Sequence, residues 1–333
     1  MSDPILTVEG VSKVFSKKPD LSVKIVKYLG GRVDERAVRA VDSVSFTLSR
    51  GEVVGLVGES GCGKSTLGRM VVGLLPPSSG KVLYNGISLA DARTKAERCK
   101  ALGAQMIFQD PYASLNPRLR VRDIVGEAPL VHGLVAANAL DAWVAETLSR
   151  CGLDPAYMDH YPHQFSGGQR QRVGIARALA VSPELIVADE AVASLDVSIQ
   201  AQILNLFMKL REELSLSYLF VSHSIGVVKH ISDRVMVMYL GRLVEEGPAG
   251  ELFSTPNHPY TVALLSQVPR IEDRKAAYHP VKGEIPSPLD PPAGCHFHPR
   301  CPHAMPICRE AAPKLVEIAP GRRSACYLNS RRE

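Results

Sequence analysis

An α/β protein with a parallel sheet at its centre is the fold class that this sequence predicts, and three observations carry the prediction. The glycine-rich stretch Gly58-Glu59-Ser60-Gly61-Cys62-Gly63-Lys64-Ser65-Thr66 directly follows the apolar run Val53-Val54-Gly55-Leu56-Val57 and opens a helical pattern. Strand-like runs at 185–189, 218–222 and 234–239 are separated by a helical pattern over 198–214, the alternation of a parallel sheet. The first of these runs, Leu185-Ile186-Val187-Ala188, ends in Asp189-Glu190, at the edge where such sheets bind ligands.

In chain order, the β-branched segment 5–15 reads as a strand, and 16–37, rich in Lys, Arg and Gly without a clear period, as an inserted surface loop. A second strand, 40–48, leads through the turn Ser49-Arg50-Gly51-Glu52 into the run at 53–57, so the N-terminal part is β-rich. A helix over 67–75 is expected to stop at Pro76-Pro77, with a short strand at 80–85 closing on Asn85-Gly86. After the strand 105–108, the pattern becomes mostly helical from about 112 to 182, with helices expected at 121–130, 139–151 and 168–180. Two domains are expected: 1–265, with that helical subdomain inside it, and a Pro- and Cys-rich extension over 266–333.

The 333 residues are 45% hydrophobic, enough for a packed core. A net charge of +5 without a clustered basic face argues against a nucleic-acid partner. No apolar run approaches a membrane span and no leader pattern opens the chain, so the expectation is a soluble, cytoplasmic protein that reaches a membrane only through partners. Of seven cysteines, Cys295, Cys301, Cys308 and Cys326 gather in the tail, a pattern that favours metal over disulfides in a cytosolic chain.

The glycine loop fits glycine, four residues, Gly-Lys-Ser. Its backbone N–H groups and the following helix N-terminus would converge on a phosphate chain, Lys64 would reach the β- and γ-phosphates, and Ser65 would ligate Mg²⁺. Asp189 would complete the Mg²⁺ shell, and Glu190 would polarise a water attacking the γ-phosphate. The plain alternatives, a chance glycine-rich turn and two acids at a helix cap, are disfavoured because strand, loop and helix occur together.

Phe165-Ser166-Gly167-Gly168-Gln169-Arg170-Gln171-Arg172, between loop and acidic strand, resembles the signature of ABC-transporter ATPases. The remaining family motifs follow in order across residues 5 to about 265. Gln109 resembles the Q-loop glutamine, Ser194-Leu195-Asp196 the D-loop, and His223 the switch histidine; a lone Gln or His after a strand is otherwise an ordinary loop residue. The resemblance implies a cassette with an N-terminal antiparallel β part, a RecA-like parallel-sheet core and a helical subdomain. It implies a site where Phe15 stacks on adenine, with Val14 and Tyr28 as alternatives, and where Gly58 to Thr66, Gln109 and Asp189 hold ATP and Mg²⁺. Glu190, Gln109 and His223 would be catalytic, and Ser166, Gly167, Gly168, Gln169 and Asp196 would act across a head-to-tail dimer. Ala191, Ala193-Ser194 and Ser224 depart from the usual family residues.

The runs 109–117, 161–168, 238–242 and the tail motif Pro292-Ala-Gly-Cys295-His-Phe-His-Pro-Arg-Cys301-Pro302 are similar to those of dipeptide, oligopeptide and nickel importer ATPases. Expected partners are two permease subunits, a paralogous ATPase or a second copy, and indirectly a solute-binding protein, with the chain on the cytoplasmic membrane face. An importer for nickel or another small solute is the alternative, and a soluble ABC ATPase of repair or translation a more distant one. The four tail cysteines are separated by five, six and seventeen residues and lack the close pairs usual for zinc, so a four-iron–sulfur cluster is expected, with zinc as runner-up and four ordinary thiols as the plain alternative. The resemblance points to the same cluster, in which His296, His298 or His303 could replace a thiolate.

Overall fold

The computed structural model describes residues 4–16, 37–91, 94–266 and 283–329. Its elements begin with β1 (Pro4–Ser16), β2 (Ala37–Ser49), β3 (Val53–Val57), α1 (Lys64–Val71), β4 (Ser79–Tyr84), β5 (Ile87–Ser88), α2 (Lys95–Ala101) and β6 (Ala104–Ile107). The helical stretch follows as α3 (Pro111–Ser114), α4 (Val121–Val131), α5 (Leu140–Arg150) and α6 (Gly167–Leu179). Then come β7 (Leu185–Asp189), α7 (Val197–Leu214), β8 (Ser217–Val221), α8 (Ile225–Ile231), β9 (Arg234–Tyr239), β10 (Arg242–Pro248), α9 (Ala249–Ser254) and α10 (Pro259–Ser266). The tail carries α11 (Pro306–Glu310), β11 (Val316–Ala319) and β12 (Arg322–Ser324).

Two sheets organise the described residues. The smaller is antiparallel, ordered β2-β1-β4-β5, and the larger is ordered β11-β12-β10-β9-β3-β8-β7-β6. Within the larger, β9, β3, β8, β7 and β6 run parallel. Every residue of β3, β7 and β8 is buried, which is why these strands read as unbroken apolar runs rather than alternating ones. Their side chains point to two separate cores. Leu56, Leu185 and Val187 join Leu6, Val8, Phe46 and Met70 beneath the antiparallel sheet, whereas Val57, Ile186 and Phe220 join Val144, Leu148, Phe165 and Ile175 beneath the helices. Each such side chain, once fully buried, contributes about 1.5–3 kcal/mol.

The helical stretch lies where the sequence placed it, and its last helix is anchored by Trp143, whose Nε1 donates to the Ala180 carbonyl at 3.0 Å. Other expectations need correction. The helix expected at 67–75 starts at Lys64 and ends at Val71. Its stop comes before Pro76, because Gly73 adopts a left-handed φ of 75° and turns the chain away. In the tail, β12 pairs antiparallel with β10, and β11 with β12, so the extension completes the edge of the main sheet. The insert expected at 16–37, with Tyr28, lies outside the described residues except at its two ends, and so does most of the boundary region.

Candidate active site

The loop after β3 is shaped by glycine at a position no other residue fits. Gly63, the N-cap of α1, has φ 106°, and a Cβ there would lie 2.1 Å from the Ala40 carbonyl oxygen. β2 therefore presses directly on the loop and forms one wall of the cleft above it. That cleft, of about 260 Å³, is lined by Val38, Arg39 and Ala40 of β2, by Ser60, Gly61, Gly63, Lys64, Ser65 and Thr66, and by Gln109, Glu190, Leu240, Gly241 and Pro288. Lys64 is only 4% exposed. Its ammonium donates to the carbonyls of Gly58 at 2.8 Å and Glu59 at 3.1 Å, so the loop satisfies the charge from within. Cys62 is buried against it, and burial pushes its thiol above the ordinary range.

Ser65 Oγ donates to Asp189 Oδ1 at 2.8 Å, which joins the start of α1 to the end of β7. Burial raises the Asp189 carboxyl above the usual carboxylate range, the Ser65 hydrogen bond opposes this, and the neighbouring Glu190 charge adds to it. A divalent cation beside Ser65 and Asp189 would relieve that burden, so the donor set fits Mg²⁺.

Glu190 sits at the turn after β7 with φ 49°, a left-handed conformation that a non-glycine residue holds only when its surroundings fix it. Its backbone N–H donates to the Val221 carbonyl at 2.9 Å. Two side chains converge on its carboxylate: Gln109 Nε2 donates to Oε2 at 2.8 Å and His223 Nδ1 lies 3.4 Å from Oε1. The ends of β6, β7 and β8 thus deliver Gln109, Glu190 and His223 to one point.

Other predicted residues lie elsewhere. Ser166 caps α6: its Oγ accepts from Gln169 N–H at 3.3 Å, and Gln169 Oε1 accepts from Ser166 N–H at 3.0 Å. Gly168 lets α7 approach, since a Cβ there would meet Ile199 Cγ2 at 2.6 Å. Asp196 caps α7 with no side-chain hydrogen bond to that helix. None of Ser166, Gly167, Gly168, Gln169 or Asp196 lines the cleft. Phe15 is 43% exposed and does not line it either; it pairs across the sheet with Val38, which does.

Cys295, Cys301, Cys308 and Cys326 are free thiols that line one small cavity, together with His258, His298 and His303. Burial pushes the Cys295 thiol up to about 11, and raises those of Cys301 and Cys326. Among the described residues no group of three or more His, Cys, Asp or Glu side chains is arranged to hold a metal ion. As they stand, these thiols are not arranged as a ligand set for zinc or for an iron–sulfur cluster.

Sequence reasoning missed Arg300, Tyr260 and Pro288. Pro288 brings the tail into the wall of the cleft, Tyr260 Oη accepts from Glu59 N–H at 2.9 Å, and Arg300 pairs with the Glu59 carboxylate at 2.8 Å. The one available signal was the position of Arg300 inside the tail motif, beside Cys301.

Comparison with known proteins gives three results. Residues 41–193 match the model of the ABC transporter family, and residues 244–308 match that of the oligopeptide/dipeptide transporter C-terminal region. The chain is 51% identical to the oligopeptide transport ATP-binding protein AppF of Bacillus subtilis over 88% of its own length and 90% of that protein. It is 45% identical to the dipeptide transport ATP-binding protein DppF of Haemophilus influenzae over 97% and 96%. Among solved structures, a dimeric ATP-binding cassette, MJ0796, in a post-hydrolysis state bound to ADP and Pi superposes with a TM-score of 0.62 at 27% identity, covering 73% of this chain and 98% of that one.

Proposed function

Since the chain belongs to the oligopeptide/dipeptide-transport ATP-binding proteins of the ABC-transporter family, we propose that it hydrolyses ATP at the cleft above Gly58–Thr66 to drive the import of di- or oligopeptides. The convergence of Gln109 and His223 on Glu190, beside the Ser65–Asp189 hydrogen bond, is the observation that carries this reading. Mg²⁺ held by Ser65, Asp189 and Gln109 would supply charge neutralisation to the β- and γ-phosphates. Lys64 exchanges its two loop carbonyls for phosphate oxygens, which fits its short tether to Gly58 and Glu59. Glu190 orients and polarises the attacking water once Gln109 releases its carboxylate, and His223, half-exposed at the same point, donates to the γ-phosphate. Phe15 at the end of β1 stacks on adenine.

The capped start of α6 is exposed at Ser166, away from the cleft, which suits an anion site offered to a second cassette. Ser166, Gly167, Gly168, Gln169 and Asp196 act in that arrangement, with a paralogous ATPase or a second copy opposite. Two permease subunits meet the surface near Gln109 and 113–116, on the cytoplasmic face of the membrane. No helix among the described residues is long and apolar enough to cross a membrane, so membrane contact is peripheral in this reading. The division at 265/266 separates the cassette from its extension.

The four tail thiols, which already line one cavity, would have to draw together to hold a four-iron–sulfur cluster in this reading. Its role is to clamp the tail. Iron, sulfide and zinc analysis of anaerobically purified protein tests it, and metal-free protein with four alkylatable thiols removes it. For the ATPase, Glu190→Gln assembled with its partners should bind ATP and accumulate as a nucleotide-bound dimer; parental turnover in that variant would refute the assignment.

A further inference from the structure

Arg300 stands in the tail beside Cys301, yet its guanidinium ends at the phosphate loop. Nη1 lies 2.8 Å from Glu59 Oε2 and Nη2 3.0 Å from Glu59 Oε1, a two-pronged, charge-assisted contact. The Arg300 side chain is 5% exposed and that of Glu59 18%, so solvent screens the pair weakly. Nη1 also lies 3.4 Å from the Tyr239 hydroxyl. Behind it Tyr239, Tyr260 and Phe297 pack ring against ring, with centroids 4.6 to 5.4 Å apart.

Both ends of Glu59 are thus held from outside the loop: its side chain by Arg300, its N–H by Tyr260. Its carbonyl is in turn one of the two that bind the Lys64 ammonium. An unpaired carboxylate one residue after Gly58 would place negative charge beside the site for a polyphosphate. Like charges brought together where solvent screens them weakly repel. Arg300 cancels that charge.

We propose that Arg300 is a positioning residue for the nucleotide: it neutralises Glu59 and fixes the start of the phosphate loop, so that the tail sets the affinity of the cassette for polyphosphate. The inference rests on the ATP reading of the loop, which Lys64→Ala tests separately by abolishing ATP binding whatever Arg300 does. The two halves of the ion pair make opposite predictions. Neither side chain lines the cleft itself, but removing the cation leaves an unpaired carboxylate behind the phosphate loop, whereas removing the anion leaves an unpaired guanidinium there.

The experiment measures binding of ATP, ADP and adenosine to the full chain by calorimetry. Arg300→Met should weaken ATP about tenfold, ADP less and adenosine not at all, because the repulsion grows with phosphate charge. Glu59→Gln should hold ATP at least as tightly as the parent. The double variant Glu59→Gln/Arg300→Met should recover most of the loss, and Arg300→Lys should fall between parent and Arg300→Met. Equal weakening in Arg300→Met and Glu59→Gln, or a loss that extends to adenosine, would reduce the pair to a structural strut and overturn the proposal. So would unchanged ATP affinity in Arg300→Met. If Arg300→Met does not fold, Glu59→Gln decides by the sign of its effect, with weaker ATP binding overturning the proposal.

Discussion

Around the phosphate loop, the polar groups that converge on the cleft come from short stretches of chain at the ends of adjacent parallel strands, with β2 and Pro288 of the tail closing its walls. In the tail, the groups that matter are scattered over 295–326 and find their partners in segments dozens or hundreds of residues away. Lys64 bonds to carbonyls five and six residues before it, whereas Arg300 reaches back 241 positions to Glu59. The loop's own contacts are thus local, although the site around it also joins Ser65 to Asp189 and Gln109 to Glu190 across 124 and 81 positions. The tail's contacts depend on the whole fold being in place first, so damage to them should register as lost stability before lost chemistry.

The largest expected effect that sharpens this contrast is kinetic. Glu190→Gln should lower ATP turnover about 10² to 10⁴-fold, the usual range for a positioned general base, while the thermal midpoint stays near that of the parent. Steady-state turnover and a melting curve on the same sample check it. In the tail the balance reverses. Phe297, 1% exposed and packed on Tyr239 and Tyr260, should cost about 3 kcal/mol or more of stability when cut to alanine. Denaturant unfolding reads that loss, and equal stability of Phe297→Ala and parent would break the contrast.

Acid should find the tail seam before it finds the loop. His258 is fully buried where α10 begins, its Nδ1 accepting from Tyr260 N–H at 3.0 Å, and burial lowers its pKa from 6.5 to about 4. Because the folded form binds the proton less readily than the unfolded one, this group's contribution is intact above pH 6.5. It is lost progressively as pH falls toward 4, by up to about 3 kcal/mol in all. His258→Gln should flatten that part of the stability profile, and an unchanged slope would show that other groups titrate there. The smallest effect belongs to the solvent-facing pair Arg150–Glu146, one helical turn apart and roughly half-exposed on both sides. Arg150→Ala should change stability by less than about 0.5 kcal/mol, and a larger loss would mean that the helical face of α5 is covered by something.

How much was legible follows the same division. The bounds of β3, β7 and β9 could be read directly, because an apolar run flanked by turn residues has one solution in a doubly covered sheet. The start of α6 was legible within one residue from the helical pattern over 168–180. By contrast, β10 was not read at all: Arg242-Leu-Val-Glu-Glu-Gly-Pro248 looks like a polar turn, yet Glu245 is 1% and Glu246 5% exposed. Glu245 is paid for by the N–H groups of Asn257 and His258, each at 2.8 Å, and Glu246 pairs with Arg323. Nothing local to those two carboxylates announces partners so far away. The Arg300–Glu59 pair escaped notice for the same reason.

One consequence of the seam between β10 and β12 concerns the order in which the chain is made. As synthesis proceeds from the N-terminus, β10 can dock on β9 while β12 is still to come, and until residues 322–324 are added the outer backbone at Glu245 and Glu246 has no strand partner. The nascent sheet thus carries an open seam through the last quarter of its translation. The final strands cover an edge that every earlier part of the chain leaves open.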